Sequence, residues 1–218
     1  MNSPLQHMTW EGITANQART EFNKSRQHSE SLIEQDDKKN GYFHLAKTCR
    51  NIIETGAIAT QHMGTDYENW EELMAQVKVV GKNLILKAQK YITNWTAEDY
   101  EVAAVIICKT DGHNPEKVEY AIDLLVKGLN IAVDTDNFIS HATITSQMVH
   151  AALLLDDISP LHVYVNDLSQ CVFDIHKKLN INPETLSRLY LALSEGADAL
   201  GIHYEKIAAV TKDQASIQ

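Results

Sequence analysis

The residues best suited to chemistry in this chain are acidic, and several recur at helical spacing. Glu68 and Glu71, Glu98 and Glu101, and Glu116 and Glu119 each form Glu-x-x-Glu, while Glu195 and Asp198 form Glu-x-x-Asp. Residues three apart share a helix face. Two such pairs on facing helices would chelate Mg²⁺ through their oxygens. Glu116, Glu119, Asp123, Glu195 and Asp198 are the candidate catalytic set for such a site. The pairs also have a plainer reading, since acidic residues in a first helical turn complement the helix dipole.

A second group falls in predicted loops, with Asp111 and His113 in one and Asp156 and Asp157 in another. Short loops between antiparallel helices would bring these two to one pole, beside two helix N-termini. Asp111, His113, Asp156 and Asp157 are therefore candidate ligands for a divalent cation or a phosphate. Their plainer role is to turn the chain and cap helices. Asp134-Thr135-Asp136 starts like a calcium loop but lacks the glycine and the bidentate glutamate that such a loop needs.

The paired carboxylates are similar in spacing, and in spacing alone, to those of the all-α nucleotide pyrophosphohydrolases. That likeness implies Mg²⁺-dependent hydrolysis of a nucleotide. Other catalytic signatures are missing: there is no Gly-x-Ser-x-Gly, no phosphate-binding Walker loop and no Gly-x-Gly-x-x-Gly. None of the ten histidines forms His-x-x-x-His, Glu-x-x-His or a Cys/His set at zinc spacing. No resident cofactor is expected, with Mg²⁺ the one ion the acidic pairs would take. The three cysteines, Cys49, Cys108 and Cys171, are far apart, and each lies in an apolar run. They read as buried free thiols in a reducing, cytoplasmic compartment.

Charge narrows the partners. Nineteen Lys and Arg stand against 29 Asp and Glu, a net charge of −10. Nonspecific nucleic-acid binders and proteins of anionic membrane surfaces gain affinity from a basic excess, the opposite of this balance. Residues 1–12 are polar and lack a signal-like apolar core, and no window approaches 18 apolar residues. A protein partner or self-association is the expectation, without nucleic acid or membrane.

The elements that would position these groups read as helices. The four prolines each follow a good capping residue: Ser3-Pro4, Asn114-Pro115, Ser159-Pro160 and Asn182-Pro183. Proline suits the first helical position because it has no N–H to leave unpaired. Apolar residues at helical period predict helices over 42–63, 67–92, 97–109, 115–133, 138–155, 160–179 and 183–200. Gly64 and Gly201 read as stops, and a short last helix is predicted over 203–212. Val102 to Cys108 is apolar on every side, the mark of a central buried helix. The competing reading makes Val102–Cys108 and Leu129–Asp134 strands of a βαβ unit.

The expected fold is all-α, a single compact bundle of seven to nine helices over 41–218. Residues 1–40 form a polar helical arm, which either packs by a narrow seam or projects to meet a partner. No internal repeat is evident in the sequence. Gly56, Gly81, Gly128 and Gly196 sit inside predicted helices, where each costs about 0.8–1.0 kcal/mol relative to Ala. They imply either close helix approach or room for a flat ligand. Three functions remain in view: a non-catalytic helical protein acting by protein–protein contacts, a metal-dependent phosphohydrolase, and a small-ligand sensor.

Overall fold

A computed structural model describes residues 13–62, 67–155, 158–178 and 181–215. Among them are eight α-helices, one 3₁₀ segment and no strand. The helices are α1 (Ala15–Glu34), α2 (Lys38–His62), α3 (Tyr67–Ala88), α4 (Ala97–Asp111), α5 (Pro115–Asp134), α6 (Phe138–Leu155), α7 (Ile158–Lys178) and α8 (Pro183–Ala215). The fold is all-α. The segments 102–108 and 129–134 both lie inside helices, so the βαβ reading falls.

Local chemistry explains most helix ends. Thr14 and Gln17 form a capping box at α1, and Thr96 and Asp99 form one at α4. In each, the threonine hydroxyl accepts an orphan N–H and the partner side chain returns the favour. Pro115 and Pro183 open α5 and α8, whereas Pro160 is the third residue of α7. The Asn114 side chain makes no capping bond, so proline alone marks that start.

Two predicted ends move. The helix expected to reach residue 92 stops at Ala88, because Tyr91 leaves helical geometry with φ −115°. Trp95 Nε1 then donates to the freed Ala88 carbonyl at 3.2 Å, and the Tyr100 hydroxyl donates to Ile92 O at 3.2 Å. At the other end, α8 runs straight through Gly201. Gly201 is exposed, and nothing lies within 4 Å of a Cβ placed there. It neither turns the chain nor admits a neighbour, so it does not stop the helix.

Backbone contacts divide the chain into two compact units, Met1–Gly112 and His113–Gln218. The two follow one plan. In the first, α2 lies against α1, α3 and α4, and α3 also meets α4. In the second, α6 lies against α5, α7 and α8, and α7 also meets α8. The first turn of each unit is built alike. Asp36 and Asp136, 100 positions apart, both take left-handed backbone, with φ 63° and 51°. Asp37 N–H donates to Leu32 O at 3.0 Å, and Asn137 N–H donates to Ala132 O at 2.8 Å. This bond closes a helix end whose carbonyls lack helical partners. Aspartate tolerates the conformation where most side chains do not.

The first unit buries Phe22, Ile52, Ile53, Trp70, Leu73 and Ile106 completely. As its all-round apolar character predicts, α4 is buried from Tyr100 through Ile107. The polar α1 packs on α2 by a narrow seam of Ala15, Ala18, Phe22, Ser25 and Ser29. Ser25 and Thr48 hydroxyls meet at 2.7 Å, and the Ser29 hydroxyl donates to Gly41 O at 2.7 Å. The turn after α1 spans 35–37, so residue 40 already belongs to α2. The second unit buries Leu124, Leu125, Ile144, Leu161, Leu168 and Leu189.

Helix glycines mark close crossings. A Cβ on Gly81 would sit 3.3 Å from both Cys49 Cβ and Ile106 Cδ1. On Gly196 it would sit 2.5 Å from Val165 Cγ2 and 3.0 Å from Val149 Cγ1. These positions are filled by neighbouring helices and leave no slot for a flat ligand.

Candidate functional site

The second unit brings four chemically useful side chains together on two helices. His141 and Thr145 are one turn apart on α6, and Asp167 and Cys171 are one turn apart on α7. Residues four apart share a helix face, and α6 packs against α7. Asn137 sets the start of α6, its side chain accepting the Ser140 N–H at 3.1 Å. That places His141 in the first turn.

Across the seam, His141 Nε2 lies 3.0 Å from Asp167 Oδ2. The Thr145 hydroxyl donates to the same Oδ2, also at 3.0 Å. The ligand atoms of His141, Asp167 and Cys171 all lie within 4.8 Å of one another. No other such group of three ligating side chains occurs among the described residues. Thr145 is buried and the other three are half-buried.

Cysteine, histidine and aspartate in one place invite comparison with a nucleophilic triad, and the geometry opposes it. Burial pushes the Cys171 thiol up to about 12, with Asp167 and Asp174 adding to the effect. A nucleophile needs the thiolate, which a cationic neighbour or a helix N-terminus would favour. Moreover, the His141 nitrogen that a base would use is bonded to Asp167. One nitrogen, one carboxylate and one sulfur instead make a donor set of the kind that holds zinc.

The acidic residues singled out by spacing stand elsewhere. Glu116, Glu119 and Asp123 are exposed on α5, and Glu195 and Asp198 are exposed on α8. None of the five belongs to a ligand group among the described residues. Glu195 Oε2 lies 3.3 Å from His150 Nε2. Asp111, at the end of α4, pairs with Lys82 at 2.8 Å, and His113 is exposed. Asp156 and Asp157 lie outside the described residues.

The pair Glu98 and Glu101 is taken up by cations from α2. Lys47 Nζ meets Glu98 at 2.7 Å and Arg50 meets Glu101 at 3.2 Å. Lys39 meets the buried Asp99 at 2.8 Å, and Arg50 also faces Glu54 at 3.7 Å. Burial opposes the Arg50 charge, but Glu101, Glu54 and Glu98 outweigh it and hold the guanidinium above its ordinary value. This is a salt-bridged seam between α2 and α4, with the Glu-x-x-Glu spacing serving structure.

Spacing along the chain misses the α6–α7 group because its ligands come from two helices. The available signal is a pair of four-residue spacings, His141/Thr145 and Asp167/Cys171, on helices joined by a short connection.

No protein family, no curated protein and no solved structure matches this chain.

Proposed function

We propose that this chain is a non-catalytic helical assembly protein, working through contacts with a second copy of itself. The observation that carries the reading is the apolar corner where α5 turns into α6. Val126 and Val133 stand seven residues apart on one face of α5, and Phe138 and Ile139 open α6 beyond the turn. All four are exposed, at 39%, 53%, 46% and 44%. Exposed apolar groups that cluster among polar ones mark contact surfaces.

The rest of the surface supports the reading. Of the 13 exposed large hydrophobic side chains described, ten belong to α5–α8, including Phe173, Tyr190 and Leu191. Association therefore engages the second unit. The three cysteines are unpaired thiols, which fits a reducing, cytoplasmic setting. Among the described residues one helix, α6, is long and apolar enough to cross a membrane by length and composition. Its packing against α5, α7 and α8, with Ile144, Val149, Ala151 and Ala152 buried, gives that apolarity a use inside the unit.

Light scattering on a size-exclusion column tests the proposal. The mass should rise above 24.5 kDa as concentration increases, and a Val133→Asp, Phe138→Asp variant should stay at 24.5 kDa. A wild-type chain that stays at one subunit at every concentration overturns it.

A further inference from the structure

We infer that the seam between α6 and α7 is a binding site for a zinc-type divalent ion, with His141 Nε2, an Asp167 oxygen and Cys171 Sγ as its protein ligands. The inference is independent of the assembly surface, which uses other residues. Three features carry it.

The first is geometry. Zinc bonds of about 2.0–2.3 Å in a tetrahedron place neighbouring ligand atoms about 3.3–3.8 Å apart. The imidazole nitrogen and the carboxylate oxygen are at 3.0 Å, and all three ligand atoms fall within 4.8 Å. Closing the set changes these separations by at most about 1.5 Å, within reach of side-chain rotation on fixed helices.

The second is support around the ligands. Metal-binding carboxylates are usually held by further hydrogen bonds, which set their orientation. The buried Thr145 supplies one to Asp167 at 3.0 Å. Each ligand sits on a helix, which places it more reproducibly than a loop would.

The third is specificity to one unit. Buried positions align α3 with α7 as Trp70 with Leu161, Val77 with Leu168, Gly81 with Val172 and Leu84 with Ile175. On that register Asp167 and Cys171 fall on Gln76 and Val80, while the 100-residue offset of Asp36 and Asp136, which relates α2 to α6, sets His141 and Thr145 on Gly41 and Leu45. The shared helix plan therefore does not require the four polar side chains. They are an addition made in the second unit alone.

Binding is an exchange without oxidation or reduction. The metal–sulfur bond forms as the Cys171 S–H proton leaves to solvent, and His141 offers the lone pair of Nε2 with its proton on Nδ1. A sulfur and an imidazole among three ligands favour zinc over magnesium, which prefers oxygen throughout. Three protein ligands leave one position for water.

Cobalt titration of the reduced full-length chain tests the site, because Co²⁺ reports a thiolate ligand by its charge-transfer absorption. The expected result is one Co²⁺ per chain with that absorption, displaced by Zn²⁺ and not by Mg²⁺. Cys171→Ser should abolish the absorption with helical ellipticity unchanged, and Cys108→Ser should keep it. His141→Gln should weaken binding at least tenfold, and Thr145→Val by about tenfold. No thiolate absorption at millimolar Co²⁺ overturns the assignment. So does absorption that survives Cys171→Ser, or affinity that His141→Gln leaves unchanged.

Discussion

Arg50 and His150 stand at the same step along the second helix of their units, counted from the left-handed residues Asp36 and Asp136. Each pairs with a glutamate of the fourth helix, Glu101 at 3.2 Å and Glu195 at 3.3 Å. Their surroundings differ. Around Arg50, Lys39, Lys47, Glu54, Glu98 and Asp99 make the α2–α4 seam ionic. Around His150, the second unit packs Val149, Ala152, Leu189 and Ala192 in one apolar cluster. One helix plan thus tolerates a charged seam or an apolar one. A buried salt bridge contributes little net stability compared with apolar packing, yet losing one partner is costly because the other charge stays buried. The first unit should therefore be brittle to single charge changes, and the second to changes of shape.

The largest expected effect breaks the ionic seam. Arg50→Met takes the guanidinium away from the buried Glu101 and the half-buried Glu54, and should cost about 3 kcal/mol. Trp70 and Trp95 are buried in the first unit and no tryptophan lies beyond residue 112, so the fluorescence change of these two during urea unfolding reads that unit. His150→Ala, with a partly exposed partner, should change the unfolding free energy read by far-ultraviolet ellipticity by less than about 1 kcal/mol. Equal losses at the two positions would end the contrast.

Shape comes next. Gly196→Ala pushes a Cβ against Val165 and Val149, both β-branched and slow to yield, and should cost about 1–3 kcal/mol. Gly201→Ala, five residues on in the same helix, meets nothing and should stabilise α8 by about 0.8–1.0 kcal/mol. Thermal unfolding followed by ellipticity separates the two. A stabilised Gly196→Ala would mean that α8 does not press on α6 and α7 there.

The smallest effect is on pH. Burial, then the charges of His28 and Lys47, hold the His44 imidazole below its ordinary value. His28 stacks edge-on against it from α1 at 4.6 Å. Because the unfolded chain takes up this proton more readily, folding stability falls as pH drops through the unfolded value near 6.5. Between about pH 7 and 5.5, fluorescence-detected stability should decline less in His44→Gln than in the parent. An identical slope would remove His44 from the pH response.

Much of this architecture is written in local signals. Proline after asparagine marks the starts of α5 and α8, and the apolar run Val102–Cys108 announces the most buried helix. What escapes the sequence is carried by pairs of helices. Glu98 and Glu101 have the spacing of a metal site, and only the facing Lys47 and Arg50 reveal them as ion-pair partners. The common plan of the two units is hidden because position is kept while chemistry changes: Ser25 answers to Leu125, Cys49 to Val149 and Asn51 to Ala151, buried in every case. His141, Asp167 and Cys171 are scattered along the chain and meet only when α6 lies on α7. Gly201 has the form of a stop but no neighbour or turn to enforce one.

Amide hydrogen exchange at low and high protein concentration tests the assembly surface most directly. Added protection is expected at high concentration in the 126–139 segment, with α1 to α4 unchanged. Protection that is independent of concentration, or that appears in α1 to α4 instead, would contradict it.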